Sequence, residues 1–156
     1  MHSAIGTDID APPALVFELA RDATRWAALL PHYSRSRLVE RRPDGSVVAE
    51  FVARRPLLPV LGLGLPVAWR SRTWSDPADH RIRFIHVAGI TRGMDVTWLI
   101  EPRPESGGGC RVTIRHEFAP RLPGLARFVD RWFTRAIAGR TLATFKALAE
   151  TLAAPP

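Results

Sequence analysis

The chain has 156 residues, 46% of them hydrophobic and 24% charged, which fits one folded domain (1–156) with a sizeable core and excludes a disordered chain. The longest uncharged apolar stretch, residues 57–68, is too short to span a bilayer and contains Pro59, Gly62, Gly64 and Pro66. Lys plus Arg total 22 against 15 Asp plus Glu, a net charge of +7, and Lys146 is the single lysine. Such an arginine skew accords with a GC-rich genome. As a functional signal it ranks an anionic membrane surface or acidic ligand ahead of nucleic acid. The lone Cys110 rules out an intrachain disulfide and fits a reducing compartment. The first five residues lack the charged start and apolar run of a signal peptide, so a cytoplasmic protein is expected, with peripheral membrane contact as an extension of that expectation.

In chain order, Ile5, Thr7 and Ile9 alternate with Gly6, Asp8 and Asp10 and predict a first strand. Asp10 is the expected cap of a helix with Pro12 and Pro13 in its first turn, carrying Leu15, Val16 and Leu19. Asp22 is the expected cap of a second short helix with Trp26, Leu29 and Leu30, stopped at Pro31. A second strand, 33–41, turns at Pro43-Asp44-Gly45 into a third, 46–54. An apolar loop is expected at 57–66, then strands at 67–75, 80–88, 92–101 and 110–118. The last of these alternates most cleanly, with Cys110, Val112, Ile114, His116 and Phe118 on one face.

The remaining stretch, 125–152, predicts one helix of roughly 40 Å. Leu125, Val129, Trp132, Ala136 and Ala143 recur at helical steps and form its expected inner stripe, widened by Phe133, Ile137, Leu148 and Leu152. Strand, two helices, six strands and a long helix predict an α+β fold. In it, a curved antiparallel sheet of about seven strands wraps the C-terminal helix and leaves a cavity between them. The small residues Ala136, Gly139 and Ala143 mark where that cavity is expected to be deepest.

This order, with Ile9-Asp10-Ala11-Pro12-Pro13-Ala14-Leu15-Val16-Phe17, then Asp22, Arg25-Trp26 and Leu30-Pro31, resembles the polyketide cyclase/dehydrase and lipid-transport superfamily. These are the START-like, helix-grip proteins. The resemblance covers nearly the whole chain and implies a hydrophobic ligand: polyketide-, quinone- or lipid-like. Trp26, Tyr33, Trp69-Arg70-Ser71 and His116-Glu117-Phe118 resemble pocket segments of the bacterial aromatase/cyclases. Where that branch carries a pocket arginine two residues after the serine, this chain has Thr73, which removes the natural stabiliser of an enolate from that face. Leu29-Leu30-Pro31 and the basic surface resemble, more loosely, the coenzyme Q-binding branch.

His86 and His116 fall on apolar strand faces. They are either hydrogen-bonded core histidines or a pair able to move protons, since an unperturbed histidine titrates near neutrality. Tyr33 is either a rim tyrosine with a wet hydroxyl or a donor to a ligand carbonyl. These three are the catalytic candidates. Trp26, Trp69, Trp98 and Trp132 are either plain core or flat walls for a ring system. Phe51, Ser71, Thr73, Phe84, Met94 and Ala136 complete the expected ligand-binding set. No metal or cofactor is expected. Arg70, Arg72, Arg81, Arg83, Arg111 and Arg115 share the outward parity of their strands. Trp74 is the one aromatic among them, which supports nucleic-acid binding weakly.

Two functions are consistent with these residues. One is a ligand-binding enzyme that cyclises or dehydrates its ligand. The other is a non-catalytic lipid or quinone carrier that docks to anionic membrane through the 57–65 loop and the basic face.

Overall fold

A computed structural model describes residues 1–58, 63–120 and 124–155, with only the backbone considered at 55–58, 63 and 106. Strand β1 (His2–Ile9) leads to helix α1 (Pro13–Arg21), a 3-10 turn (Ala23–Arg25) and helix α2 (Trp26–Leu29). Six strands come next: β2 (Tyr33–Arg41), β3 (Val47–Leu58), β4 (Leu63–Asp76), β5 (Arg81–Gly89), β6 (Asp95–Pro102) and β7 (Cys110–Glu117). Helix α3 (Leu125–Val129), a π-helical turn (Asp130–Thr134) and helix α4 (Arg135–Ala153) run on from one another.

The sheet order is β1-β7-β6-β5-β4-β3-β2, and every neighbouring pair is antiparallel. The meander therefore returns to β1, which pairs with β7 from His2↔Glu117 to Ile9↔Cys110. Alternation is the cause: in β7 the even positions from Cys110 to His116 are buried and the odd ones face out or lie half-buried. The inner face of the curved sheet and the C-terminal helix share one apolar core, the expected helix-grip α+β fold.

Single residues fasten the helix to the sheet. Lys146 Nζ donates to the Asp8 carbonyl and to Glu150 Oε1, both at 2.6 Å, and Glu150 Oε1 also accepts from Asp10 N–H at 2.9 Å. Asp10 thus anchors the far helix rather than capping α1. Pro12, which has no side-chain acceptor, holds the cap position of α1, its carbonyl accepting from Leu15 N–H at 3.1 Å, and Pro13 at the first helical position leaves one N–H fewer to satisfy. Asp22 does cap its turn, accepting from Thr24 N–H at 3.2 Å.

The apolar loop expected at 57–66 is mostly sheet. Strands β3 and β4 continue to a Leu58↔Leu63 pair, and only residues 59–62 lie outside the described set. Pro56 falls at a register irregularity, where a ladder tolerates a residue without N–H.

Trp26 sits at the centre of the core. It is 4% exposed, its indole Nε1 donates to the Ala20 carbonyl at 3.0 Å, and its ring meets Tyr33, Phe51, Phe84, Trp98 and Phe145 at 5.3 to 6.0 Å. Trp26→Ala is expected to cost about 3–5 kcal/mol, read as a lower urea midpoint, because five rings lose a shared neighbour and Ala20 loses a donor. A loss below about 1 kcal/mol would mean that the rings close over the gap.

Candidate functional site

Between the sheet and the helix lies a cavity of about 80 Å³. Its sheet side is formed by Phe51, Val67, Trp69, Phe84, His86, Met94, Val96, Trp98, Ile114 and His116, with Trp26 and Tyr33 at one end and Thr91 over it. The helix contributes Phe133, Thr134, Ile137, Ala138 and Thr141.

A bulge places the most polar part of this wall. Arg70 pairs with Ala88 but Ser71 pairs with His86, so Val87 is skipped and the parity of β5 flips after His86. Ala88, which unbroken alternation from Ile82, Phe84 and His86 would put on the inner row, therefore leaves it. Gly89 takes a position opposite Trp69 with φ of 97°, where a Cβ would lie 2.5 Å from the Ala68 carbonyl oxygen. That close approach seats Trp69, whose ring stacks between Phe51 (5.4 Å, 23°) and His86 (5.7 Å, 17°).

His86 is held on several sides. Its Nδ1 is 2.6 Å from Thr91 Oγ1, its N–H donates to the Met94 carbonyl at 2.9 Å, and its carbonyl accepts from Gly93 N–H at 2.8 Å. With Nδ1 engaged, Nε2 is the nitrogen it can offer a ligand. His116 is 6% exposed and its Nδ1 has no hydrogen-bond partner. Burial depresses both imidazoles. His86 is lowered to about 3, His116's positive charge adding to the burial, and His116 to about 4, with Asp130 pulling the other way. Both rings are neutral at pH 7.

At the other end, Thr141 Oγ1 donates to the Ile137 carbonyl at 2.9 Å, so the buried His32 Nε2, 2.9 Å away, must donate to Thr141. Tyr33 is 5% exposed, not a wet rim residue. Burial pushes its phenol well up, and a hydrogen bond with Thr141 offsets part of that.

Nine residues of the expected ligand-binding set come together around the cavity, Trp26, Tyr33, Phe51, Trp69, Phe84, His86, Met94, Trp98 and His116, joined by Phe133 and Ile137 from the widened helix stripe. Ser71 and Thr73 are buried on the same sheet face but lie off the cavity, their hydroxyls without partners. Thr73 borders a separate open groove with Asp22, Thr24, Leu38, Arg41 and Val47. Trp132 is 42% exposed, Ala136 is half-buried off the cavity and Ala143 is exposed. Gly139 faces β1 instead, where a Cβ would meet Ile5 at 3.5 Å. The π turn is the reason: one extra residue in a helical turn rotates the next part of the helix by about 100°. The inner stripe thus passes from Val129 to Phe133 and Ile137 rather than to Trp132 and Ala136. Thr91, Thr134 and Thr141 gave no signal, since a threonine in a turn or helix carries no mark of what it faces. Val67, Val96 and Ile114 share the strand parity that found their neighbours.

Among the described residues no lining side chain is charged at pH 7, and no group of three His, Cys, Asp or Glu is placed to hold a metal. The site can stack a flat ring against Trp69 and Phe51 and hydrogen-bond a carbonyl or hydroxyl. It offers weak bases and no fixed cation.

The model of the family described as polyketide cyclase / dehydrase and lipid transport matches residues 2–150. The chain belongs to that family. Its fold is similar to the ZhuI aromatase/cyclase from Streptomyces sp. R1128 (19% identity, TM-score 0.76, covering 96% of this chain and 93% of that one). It is also similar to the di-domain aromatase/cyclase BexL from the BE-7585A biosynthetic pathway (24% identity, TM-score 0.73, 99% of this chain and 48% of that one). A START superfamily protein from Mycobacterium smegmatis matches at 13% identity and TM-score 0.70, covering 97% and 98%. No curated protein matches the chain. Family membership supports binding of a small hydrophobic ligand in the helix-grip cavity.

The buried histidines predict a pH effect. Their ordinary value is 6.5, and folded values of about 3 and 4 mean that below pH 6.5 the unfolded chain binds more protons than the folded one. Stability is therefore unaffected by these groups above 6.5 and falls with pH from there toward 4, by at most about 1.4 kcal/mol per pH unit for each histidine. Urea midpoints taken across this range should fall, and should fall less steeply in a His86→Gln/His116→Gln variant. An unchanged slope in that variant would show that neither ring is buried neutral.

Proposed function

We propose that this protein binds a small, flat, uncharged hydrophobic ligand (polyketide-, quinone- or lipid-like) between sheet and helix and releases it chemically unchanged. The observation that carries the reading is the pairing of an apolar, ring-lined cavity with one buried, unpartnered polar atom, His116 Nδ1. A buried polar atom without a partner is costly in the empty protein, and a ligand carbonyl or hydroxyl that reaches it recovers that cost.

Size matters too. A cavity of about 80 Å³ is smaller than the ~150 Å³ apolar cavity that takes a single benzene. A larger ligand must displace part of the wall, and Trp69, half-buried at its edge, is the ring least enclosed.

Cyclisation or dehydration is the second reading, with Tyr33, His86 and His116 as its residues, and the aromatase/cyclase relatives favour it. Against it stand two imidazoles lowered far from the value a general base works best at, and no cation on the wall to hold an enolate.

Solvent extraction of the purified protein, with mass spectrometry of what is released, identifies a co-purified ligand. Quenching of tryptophan fluorescence by 1-naphthol and 1,4-naphthoquinone measures binding directly. Ala138 lines the cavity at 6% exposure, so Ala138→Phe should fill it, keep the circular dichroism spectrum and lower affinity for both probes at least tenfold. Undiminished binding would place the ligand elsewhere. Chemical conversion of an extracted ligand that is lost in both His86→Ala and His116→Ala would establish the enzymatic reading instead.

A further inference from the structure

The outer side of the π turn carries a feature the cavity does not use. Phe128 is 46% and Trp132 42% exposed, and their rings stack at 6.0 Å and 24°. Arg127 and Arg131 flank them, both exposed, and neither makes an ion pair among the described residues. Asp130, the one carboxylate on the turn, is tied to Arg135 Nε at 3.0 Å and is mostly covered. The surface is therefore two stacked aromatic rings in a cationic frame.

We propose that this face docks onto an anionic phospholipid surface, with Phe128 and Trp132 entering the headgroup region and Arg127 and Arg131 meeting lipid phosphates and carboxylates. Charge complementarity selects this occupant. A second copy of the chain would set Arg127 and Arg131 against their own equivalents, whereas an anionic bilayer offers both negative charge and an apolar layer for the rings.

The sheet's outer face is a poorer candidate than its arginine content implies. Glu50 holds Arg35, Arg37 and Arg70, while Arg72 pairs with Asp44, Arg83 with Asp95 and Arg111 with Asp8. Four carboxylates thus offset four of these six charges in place.

Position supports the assignment. Phe128 also meets Phe133 edge-on at 5.6 Å, and Phe133 lines the cavity, so one ring touches both the exposed stack and the cavity wall. Two other wall segments carry exposed apolar residues next to lining ones: Leu65 near Val67, and Ile90 beside Thr91. The docking stands on the surface alone. That it serves ligand exchange through Phe133 rests on the proposed ligand binding in the cavity.

The test is co-sedimentation of the full chain with ligand-free vesicles of phosphatidylcholine, with and without phosphatidylserine. Binding is expected only with phosphatidylserine and should weaken as salt rises. Arg127→Gln and Arg131→Gln should each weaken it roughly fivefold. Phe128→Ala/Trp132→Ala should weaken it at least tenfold with an unchanged circular dichroism spectrum, whereas Arg70→Gln/Arg111→Gln should leave it alone. No sedimentation with phosphatidylserine vesicles, equal sedimentation with both kinds, or wild-type binding by the double aromatic variant would each overturn the proposal. So would a dimer, or capture of an acidic protein, that needs Phe128 and Trp132 while vesicles are ignored. Because no ligand is present, failure here leaves the cavity reading untouched, and loss of naphthol binding in Ala138→Phe leaves docking untouched.

Discussion

One helix has to close the whole sheet, and its two halves must face the same way to do so. Leu125, Ala126 and Val129 pack on the core at one end, and Ile137, Ala138, Leu142, Phe145 and Ala149 at the other. At about 100° per residue, a straight α-helix would point these two sets toward nearly opposite sides. From a core-facing Val129, regular spacing would also bring the charged Arg140 round toward the sheet. The π turn at Asp130–Thr134 removes most of that mismatch with one extra residue. It costs some hydrogen-bond regularity, which the burial of Val129 and Phe133 offsets. The cavity wall and the exposed aromatic pair both result from it, since the rotation that turns Phe133 and Thr134 inward leaves Trp132 outside.

The chemistry of the cavity comes from the sheet's curvature and from what the wall lacks. Aromatic rings from five strands, β2 to β6, and from α2 converge because the meander bends round Trp26, and the bulge at Val87 with Gly89 lets Trp69 lie flat against His86. Burial disfavours a charged imidazole, so His86 and His116 are neutral at pH 7, and Thr91 holds the His86 ring. Thr73, on the same sheet face but off the cavity, likewise adds no charge to the inner face.

The element order and the strand parities were legible because strands with one buried face write their orientation in a period of two. Phe51, Phe84, Trp98 and His116 were found that way, and they line the cavity. Proline and glycine runs were weaker guides. Residues 57–66, with Pro59, Gly62, Gly64 and Pro66, were read as a loop, yet β3 and β4 pair as far as Leu58 and Leu63, absorbing Pro56 at an irregularity. Two local insertions escaped altogether: the β5 bulge that moved Ala88 off its row and the π turn that turned Trp132 and Ala136 away. Each inserts one residue, and the pattern on either side remains a faultless strand or helix. Only the requirement that both halves meet the same core reveals the slip. Polar partners such as Thr91 and Thr141 were out of reach for a related reason. Their roles are set by contacts with residues distant in the fold or across a turn.

Net charge shows a parallel gap between sequence and field. A total of +7 with outward strand arginines suggests a basic sheet face. The pairing register instead brings Glu50 opposite Arg37 on one side and Arg70 on the other, and Asp95 diagonal to Arg83. Cross-strand pairs of this kind neutralise the charge within a few ångströms and leave little field beyond a Debye length. Arginines on a helix surface have no such partner strand. Arg127 and Arg131 lie one turn apart with their nearest carboxylate, Asp130, already engaged, so their fields add rather than cancel. Part of the excess positive charge that composition reports thus lies at the helix, on the side where the rings are exposed, while carboxylates offset much of the charge on the sheet that holds most of the arginines.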